Sequence, residues 1–202
     1  MTTGTVTRPN WRTEEPEWVV WLTVILALLI GLGLRSAVVG RMQTVQAGPT
    51  TISYPANWVE DTEEGTLFAA ADYDSGPFGA RSSIREVSRA DLVPIENLSG
   101  PVVAEDAAIN WTIQRGTELE GYRAIEIMQV TVQGREALQI DYVYLADAPL
   151  GGAGTLPALI HAIDTIVPSG EQFYVLTVAV EATEDATLAA LNDQLLAGWR
   201  IP

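Results

Sequence analysis

The chain has 202 residues, a formal charge of -15 at neutral pH and no cysteine. This length suits one ordinary domain beside an anchor and a short tail, and the missing cysteines exclude thiolate nucleophiles, iron–sulfur ligation and cysteine zinc sites. From residue 43 onward there are seven arginines and 23 carboxylates, and the whole chain contains no lysine. We therefore expect no nucleic-acid partner, since nucleic acids bind to basic patches.

The first predicted element is a membrane anchor over residues 18–40, preceded by an N-terminal tail over 1–17. Residues 18–34 carry no charge, and continuing through residue 40 gives a helix of roughly 33 Å, enough to cross a bilayer. Trp18 and Trp21 suit one membrane interface, and Arg35 can extend its charged end to the other. The sequence therefore predicts the lipid bilayer and other transmembrane subunits as partners.

A cleaved signal peptide is the alternative interpretation of this segment, with VQA before Gly48 as its cleavage site. Glu14, Glu15 and Glu17 lie where a signal peptide carries positive charge, so we favour a retained, single-pass anchor in the cell membrane. Two arginines lie on each side of the segment, which leaves the positive-inside count tied. Because a domain after a lone N-terminal anchor is usually exported, we expect a cytoplasmic N-terminus and an extracytoplasmic domain.

After the anchor, we predict a linker over 41–48 and one domain over 49–202. The domain begins with TTISYPANW, an alternating strand that stops at a proline, and continues with the strand-like GTLFAAADY and RSSIREV. The turn-rich DSGPFG separates the last two strands. A helix is predicted between Val102 and Leu119. Its packing stripe consists of Ala108, Trp111, Thr112 and Arg115. Ile109 and Ile113 form an adjacent apolar pair.

The second half of the domain predicts two hairpins and a closing helix. MQVTV and EALQIDYVY flank a glycine-containing turn, and the second segment places Leu138, Ile140, Tyr142 and Tyr144 on one face. LPALIHAIDTIV and QFYVLTVAV form the next pair, and the latter is apolar enough to be a central strand covered on both faces. The closing helix is expected to begin at Thr183 as N-cap and to pack through Leu188, Leu191 and Leu195. The order of elements predicts an α+β domain with a mostly antiparallel sheet flanked by helices.

Several of these segments together resemble the PsbP-like family over about residues 49–202: ISYPANWVE, VTVQGREALQIDYVY, FYVLTVAV and the final GWRIP. That family comprises extrinsic proteins related to the oxygen-evolving-complex subunit of photosystem II, with membrane-attached and secreted bacterial relatives. The resemblance implies a sheet sandwiched by helices and a non-enzymatic role that assists a larger assembly. This chain differs from the plant members in its predicted anchor and its lack of lysine, and no metal-binding or ligand-binding residue is carried over.

For each residue that could carry out chemistry or bind a ligand, the sequence context favours a structural role. His161 is the only histidine, and it alternates with apolar residues, which favours a hydrogen-bonded histidine within a strand. Asp72 and Asp74 lack the later oxygen ligands of a calcium loop, so we interpret them as an acidic surface turn. Glycines near residue 152 have no basic neighbour to bind phosphate. Trp58, Trp111 and Trp199 are interpreted as core residues, although they could also line a pocket.

The sequence therefore predicts no catalytic, cofactor-binding or metal-binding residue, no cofactor and no enzymatic activity. Our leading hypothesis is a non-catalytic accessory or structural subunit of a photosynthetic or respiratory membrane complex. The alternative is an independent membrane-tethered module that binds a small ligand or a basic protein, for which a pocket lined by Trp111 and Tyr142 would be expected. An enzyme would require His161 to lie in a cleft beside a carboxylate such as Asp164.

Overall fold

The computed structural model describes residues 17–39, 41–93, 104–147 and 156–202. It divides the chain into two compact units, residues 1–40 and residues 41–202. The first unit contains helix α1 (Glu17–Val39). Among the described residues, no helix combines the length and the apolar character that crossing a membrane requires. The transmembrane anchor therefore stays a prediction.

The second unit is built on a seven-stranded sheet whose neighbouring strands are all antiparallel. Its strands are β3 (Val59–Asp61), β4 (Phe68–Ala71), β5 (Arg81–Ser88), β6 (Arg123–Val132), β7 (Arg135–Ala146), β8 (Ala158–Ser169) and β9 (Gln172–Glu181). Their order across the sheet is β3-β4-β5-β9-β8-β7-β6. The strand QFYVLTVAV, now β9, is the middle one of the seven, and eight of its ten residues are buried. Its prediction as a central strand is confirmed.

Both predicted hairpins form in register. β6 and β7 pair from Val132 opposite Arg135, and the two residues between them have φ values of 53° at Gln133 and 76° at Gly134. Positive φ at both positions matches the twist of an antiparallel pair, and glycine adopts this conformation at little cost. β8 and β9 pair from Ser169 opposite Gln172, with Gly170 at a φ of 62° in their turn.

The segment predicted as a linker over 41–48 is instead part of the folded unit. Met42–Ala47 forms strand β1, which pairs with β2 (Thr50–Pro55) in a separate two-stranded sheet. The prediction was wrong because MQTVQA has few large apolar residues, yet Val45 packs against the core and Ala47 is buried. The short β3 was not predicted at all.

The helices described in this unit are α2 (Arg89–Leu92), α3 (Ala104–Glu118) and α4 (Asp185–Gly198), and short 3-10 turns lie at Tyr73–Ser75 and Ala182–Glu184. The expected N-cap Thr183 lies inside the 3-10 turn. The cap position of α4 is Glu184, whose side chain makes no capping hydrogen bond. The Thr183 prediction was therefore wrong, because the chain makes a tighter turn before the α-helix begins.

Two apolar clusters cover the two faces of the large sheet. On one face α4 and the β1–β2 hairpin pack against residues such as Ile84, Leu176 and Val178. On the other face α3 packs against a cluster that contains Trp111, Ile140 and Tyr142. The α+β fold with a mostly antiparallel sheet and flanking helices is confirmed. We call these surfaces the α4 face and the α3 face.

Candidate functional site

The α3 face brings polar residues from four elements together because of the strand register. Asp164 on β8 is opposite Ile140 on β7 and Thr177 on β9, and Thr177 is opposite Ser83 on β5. Residues opposite one another in a sheet point to the same face. The helix α3 then adds Trp111 from above, within a stripe that also includes Ala108 and Arg115.

Asp164 is the centre of a buried hydrogen-bond network. Its carboxylate is fully buried and accepts four hydrogen bonds: from Trp111 Nε1 at 2.6 Å, Arg115 Nε at 3.1 Å, the Tyr142 hydroxyl at 3.0 Å and the Thr177 hydroxyl at 2.6 Å. These four donors satisfy the hydrogen-bonding capacity of a carboxylate that lies away from water. The network therefore fixes α3 to the middle of the sheet.

Arg115 is the cation that balances this buried carboxylate. Burial alone would lower its pKa, but the Asp164 carboxylate and the Tyr142 hydroxyl outweigh burial and raise the pKa above its ordinary value. The guanidinium also lies 5.3 Å from the ring centre of Trp111 and 5.7 Å from that of Tyr142. Burial, followed by the charge of Asp164, raises the pKa of Tyr142 well above its usual range. Both groups therefore keep one charge state at neutral pH.

A cavity of about 540 Å³ lies on the same face, beside this network. Small side chains form part of its floor: Ala69 on β4 lies opposite Ser83 on β5, and Ala71 on β4 lies opposite Arg81. The helix α3 contacts β6 and β7, and its last turn reaches the rim of the cavity through Glu118. Small residues on β4, together with a helix placed toward the opposite edge, leave this part of the sheet uncovered.

Three arginines line the cavity together with four carboxylates. The arginines are Arg81, Arg85 and Arg115, and the carboxylates are Asp61, Glu63, Asp72 and Glu118. Arg85 pairs with Glu63 at 2.7 Å and with Glu118 at 3.4 Å. The charges of Arg85 and Arg115 are therefore compensated within the protein.

Arg81 differs from the other two arginines. Within the part of the chain that the structure describes, the only hydrogen bond of its side chain goes to the carbonyl oxygen of Pro77, at 3.4 Å, and no carboxylate lies within ion-pair distance. Its charge acts on two cavity tyrosines. The hydrogen bond to Asp61 raises the pKa of Tyr73, burial raises the pKa of Tyr144, and the Arg81 charge opposes both shifts. Arg81 is thus a cation with donors available toward the cavity.

His161, the histidine singled out in the sequence, does not lie in this cavity. His161 lies on the α4 face, where its Nε2 is 2.5 Å from Asp141 and its Nδ1 contacts Asp185. The side chain is 15% exposed, and it lies outside the cavity lining. The prediction of a hydrogen-bonded histidine within a strand is confirmed. His161 is beside carboxylates, although not beside Asp164.

The acidic turn and the tryptophans have structural roles. Asp72 accepts hydrogen bonds from the Asp74 amide and the Ser75 hydroxyl, which caps the 3-10 turn at Tyr73–Ser75. No group of three or more potential metal ligands occurs among the described residues. Trp58, Trp111 and Trp199 are buried, as predicted for core residues. The glycine-rich stretch near residue 152 lies outside the described residues.

Sequence reasoning did not find the residues that form the site. Arg81, Ser83 and Arg85 alternate along RSSIREV, and this alternation could have placed two arginines on one face. Asp164 lies two positions from Ala162 and from Ile166, and this spacing predicts a carboxylate on an apolar face of the strand. A pocket lined by Trp111 and Tyr142 was expected for a binding module, but these residues lie in the buried network, and Arg115 and Tyr144 line the cavity instead.

No protein-family model and no curated protein sequence matches the chain. Solved structures match its fold. The solution structure of cyanobacterial PsbP (CyanoP) from Synechocystis sp. PCC 6803 aligns with a TM-score of 0.57 at 12% identity, covering 80% of this chain and 92% of that chain. The Ran-binding protein Mog1p from Saccharomyces cerevisiae aligns with a TM-score of 0.51 at 10% identity, covering 80% and 95%. The chain therefore has a PsbP-like fold.

Proposed function

We propose that the chain is a non-catalytic accessory subunit of an integral membrane complex, attached through α1, with residues 41–202 on the extracytoplasmic side. The observation that carries the proposal is the apolar surface of α1. The side chains described for this helix, residues 18–33, include no charge, and its large apolar residues are all at least 36% exposed. A helix that is apolar on all sides favours a membrane or a protein interior over water.

The properties of the second unit support an assisting role for the proposed subunit. The resemblance to PsbP-like proteins implies assistance to a larger assembly, and Mog1p, which shares the fold, is a Ran-binding protein. The strong negative charge of residues 41–202 disfavours contact with anionic lipid headgroups. We therefore expect neutral or basic protein surfaces, and other transmembrane helices, as the partners.

The proposal is tested by fractionating native membranes. We expect the chain to remain in the membrane pellet after an alkaline carbonate wash, and to comigrate in fixed stoichiometry with a large complex on a native gel. Ile25→Asp with Leu29→Asp should release it, because charges in an apolar helix oppose membrane insertion. The matched control is Ile109→Asp with Ile113→Asp on α3, two residues that are also exposed and four apart.

Three results would contradict the proposal, one for each of its parts. One is a chain that the wash removes from the membrane, which would exclude attachment through α1. Another is a membrane-bound chain that migrates alone near its own mass of 21.8 kDa, which would exclude the subunit role. Protection of residues 41–202 from protease in sealed, right-side-out vesicles would overturn the proposed orientation.

A second candidate function is an independent membrane-tethered binding module. The cavity on the α3 face favours it, because its volume of about 540 Å³ lies within the range of roughly 300–1,000 Å³ that small-molecule sites occupy. A few polar groups converge on a partly apolar wall there, which is the general composition of such sites. The two candidates differ in the native-gel experiment, where a module migrates without a complex.

A further inference from the structure

We infer that the cavity on the α3 face binds a small molecule carrying a single carboxylate, with Arg81 as the residue that contacts the carboxylate. Of the seven arginines after residue 43, three line this one cavity, although the domain as a whole is strongly acidic. The three arginines give the cavity hydrogen-bond donors for an anionic group, although the rest of the domain repels anions.

The internal pairing of the arginines identifies Arg81 as the contact. Arg115 is held by buried Asp164, and Arg85 connects Glu63 on one wall to Glu118 on the other. Arg81 has only the Pro77 carbonyl oxygen at 3.4 Å among the described residues. A guanidinium group can donate two parallel hydrogen bonds to one carboxylate, so Arg81 has the donors that such a ligand needs.

The negative groups in the wall limit the charge of the ligand. Asp61, Glu63, Asp72 and Glu118 contribute four carboxylates against three guanidinium groups. A dianion such as a phosphate ester would meet more repulsion than a monoanion, because each additional charge interacts with all four carboxylates. The cavity therefore suits a carboxylate with one negative charge.

Other wall residues indicate what the rest of the ligand contains. Tyr144 has no hydrogen-bond partner for its hydroxyl group within the described residues, and it lines the cavity beside Leu119. Tyr73, at the rim, is 47% exposed and donates its hydroxyl to Asp61. The apolar surfaces fit a ring or short chain, and the Glu63 carboxylate can accept from a ligand hydroxyl group. A hydroxy acid with a phenyl-sized apolar part combines these features.

This inference deepens the second candidate function and does not depend on membrane attachment. The test is isothermal titration calorimetry of the full chain in neutral detergent micelles with phenyllactate as the probe. We expect saturable binding in the millimolar range or tighter. Phenylpropanediol, which replaces the carboxylate by an alcohol on the same skeleton, should bind at least about tenfold more weakly, because a hydrogen bond to a charged group is lost.

Substitutions in the cavity test whether phenyllactate binds there. Arg81→Gln should weaken phenyllactate binding at least about tenfold, whereas Arg123→Gln on the exposed strand β6 should leave it unchanged. Tyr144→Phe, which removes only a hydroxyl group, should give a smaller loss and keeps the test decisive if Arg81→Gln does not fold. Thermal unfolding of each variant checks the fold.

Three outcomes would overturn the inference. They are no saturable binding of phenyllactate, equal binding of the diol, and binding that neither Arg81→Gln nor Tyr144→Phe changes. Phenyl phosphate binding as tight as phenyllactate binding would overturn the restriction to a single charge. Membrane sedimentation of the same protein samples reports on attachment separately, so failure of ligand binding and failure of the anchor proposal are distinguishable.

Discussion

The α4 face of the sheet is covered mainly by apolar side chains, whereas the α3 face is held by a buried ion pair and is left partly open. On the α4 face, Trp199 and Leu195 are fully buried against the sheet. On the α3 face, a fully buried carboxylate and its arginine lie between helix and strands, beside the cavity. Apolar contacts are non-directional, but a saturated carboxylate accepts only partners in fixed positions. We therefore expect the positions of side chains to be fixed more strictly on the α3 face, and substitutions there to destabilise the domain more.

The largest expected effect comes from breaking the buried ion pair. Asp164→Leu removes the buried partner of Arg115, which then keeps only the partly exposed Glu118 at 3.4 Å, and we expect the free energy of unfolding to fall by about 3–5 kcal/mol. The measurement is denaturant unfolding of the full chain in detergent, followed by circular dichroism. Adding Arg115→Met to Asp164→Leu removes the buried charge that has lost Asp164, and it should recover most of the loss. A double variant as unstable as Asp164→Leu would show that packing, and not charge, dominates this face.

The second prediction compares the same substitution on both faces. Trp111 donates its indole N–H to Asp164 at 2.6 Å, whereas the buried Trp199 indole nitrogen has no hydrogen-bond partner among the described residues. Trp111→Phe should therefore cost about 1.5–3 kcal/mol more than Trp199→Phe, because it alone removes a hydrogen bond to a charged group. Unfolding midpoints of the two variants provide the check. Equal losses would mean that only the lost ring volume matters.

These contrasts also show how far the sequence predicts the structure. Period-two alternation predicted the hairpins and the shared face of Leu138, Ile140, Tyr142 and Tyr144, because side-chain direction in a strand follows directly from residue order. The strand β1 was missed, because its burial depends on pairing with β2 and on the packing of the hairpin against the core. The local sequence MQTVQA contains neither interaction.

The candidate site was harder to predict than the fold. Arg115 and Asp164 are 49 residues apart, and their contact depends on where α3 crosses the sheet. The cavity depends further on what α3 leaves uncovered over β4 and β5, which no local pattern encodes. Alternation could have placed Arg81 and Arg85 on one face, but it could not show that Arg85 is paired with carboxylates and that Arg81 is not.

A third prediction uses one glycine from each helix. A Cβ atom at Gly198, the last residue of α4, would lie 2.8 Å from Ser53 Cβ and 3.0 Å from the Ser53 carbonyl oxygen. Gly198→Ala should therefore destabilise the domain by about 1–3 kcal/mol through overpacking. At Gly116 in α3 the nearest atom, in Tyr122, would be 3.7 Å away. Gly116→Ala should stabilise by up to about 1 kcal/mol, since alanine favours helix. Opposite signs in thermal unfolding would confirm tight packing under α4 and looser packing at this end of α3.

The final prediction is that stability depends on alkaline pH through Tyr142. In the folded state burial and Asp164 raise the pKa of this tyrosine well above 10, whereas in the unfolded chain it ionises near that value. Its contribution to stability is therefore complete below about pH 10 and falls as the pH rises further, by at most about 1.4 kcal/mol per pH unit. Tyr142→Phe removes this proton linkage together with the hydrogen bonds to Asp164 and Arg115. The variant should thus be less stable than the natural chain at neutral pH, and the difference should shrink above about pH 10. Unfolding curves of the natural chain and of Tyr142→Phe, recorded at neutral pH and above about pH 10, measure the difference. A difference that stays constant would mean that Tyr142 ionises as easily in the folded state as in the unfolded chain. That result would contradict the burial of its hydroxyl group beside the Asp164 carboxylate beneath α3.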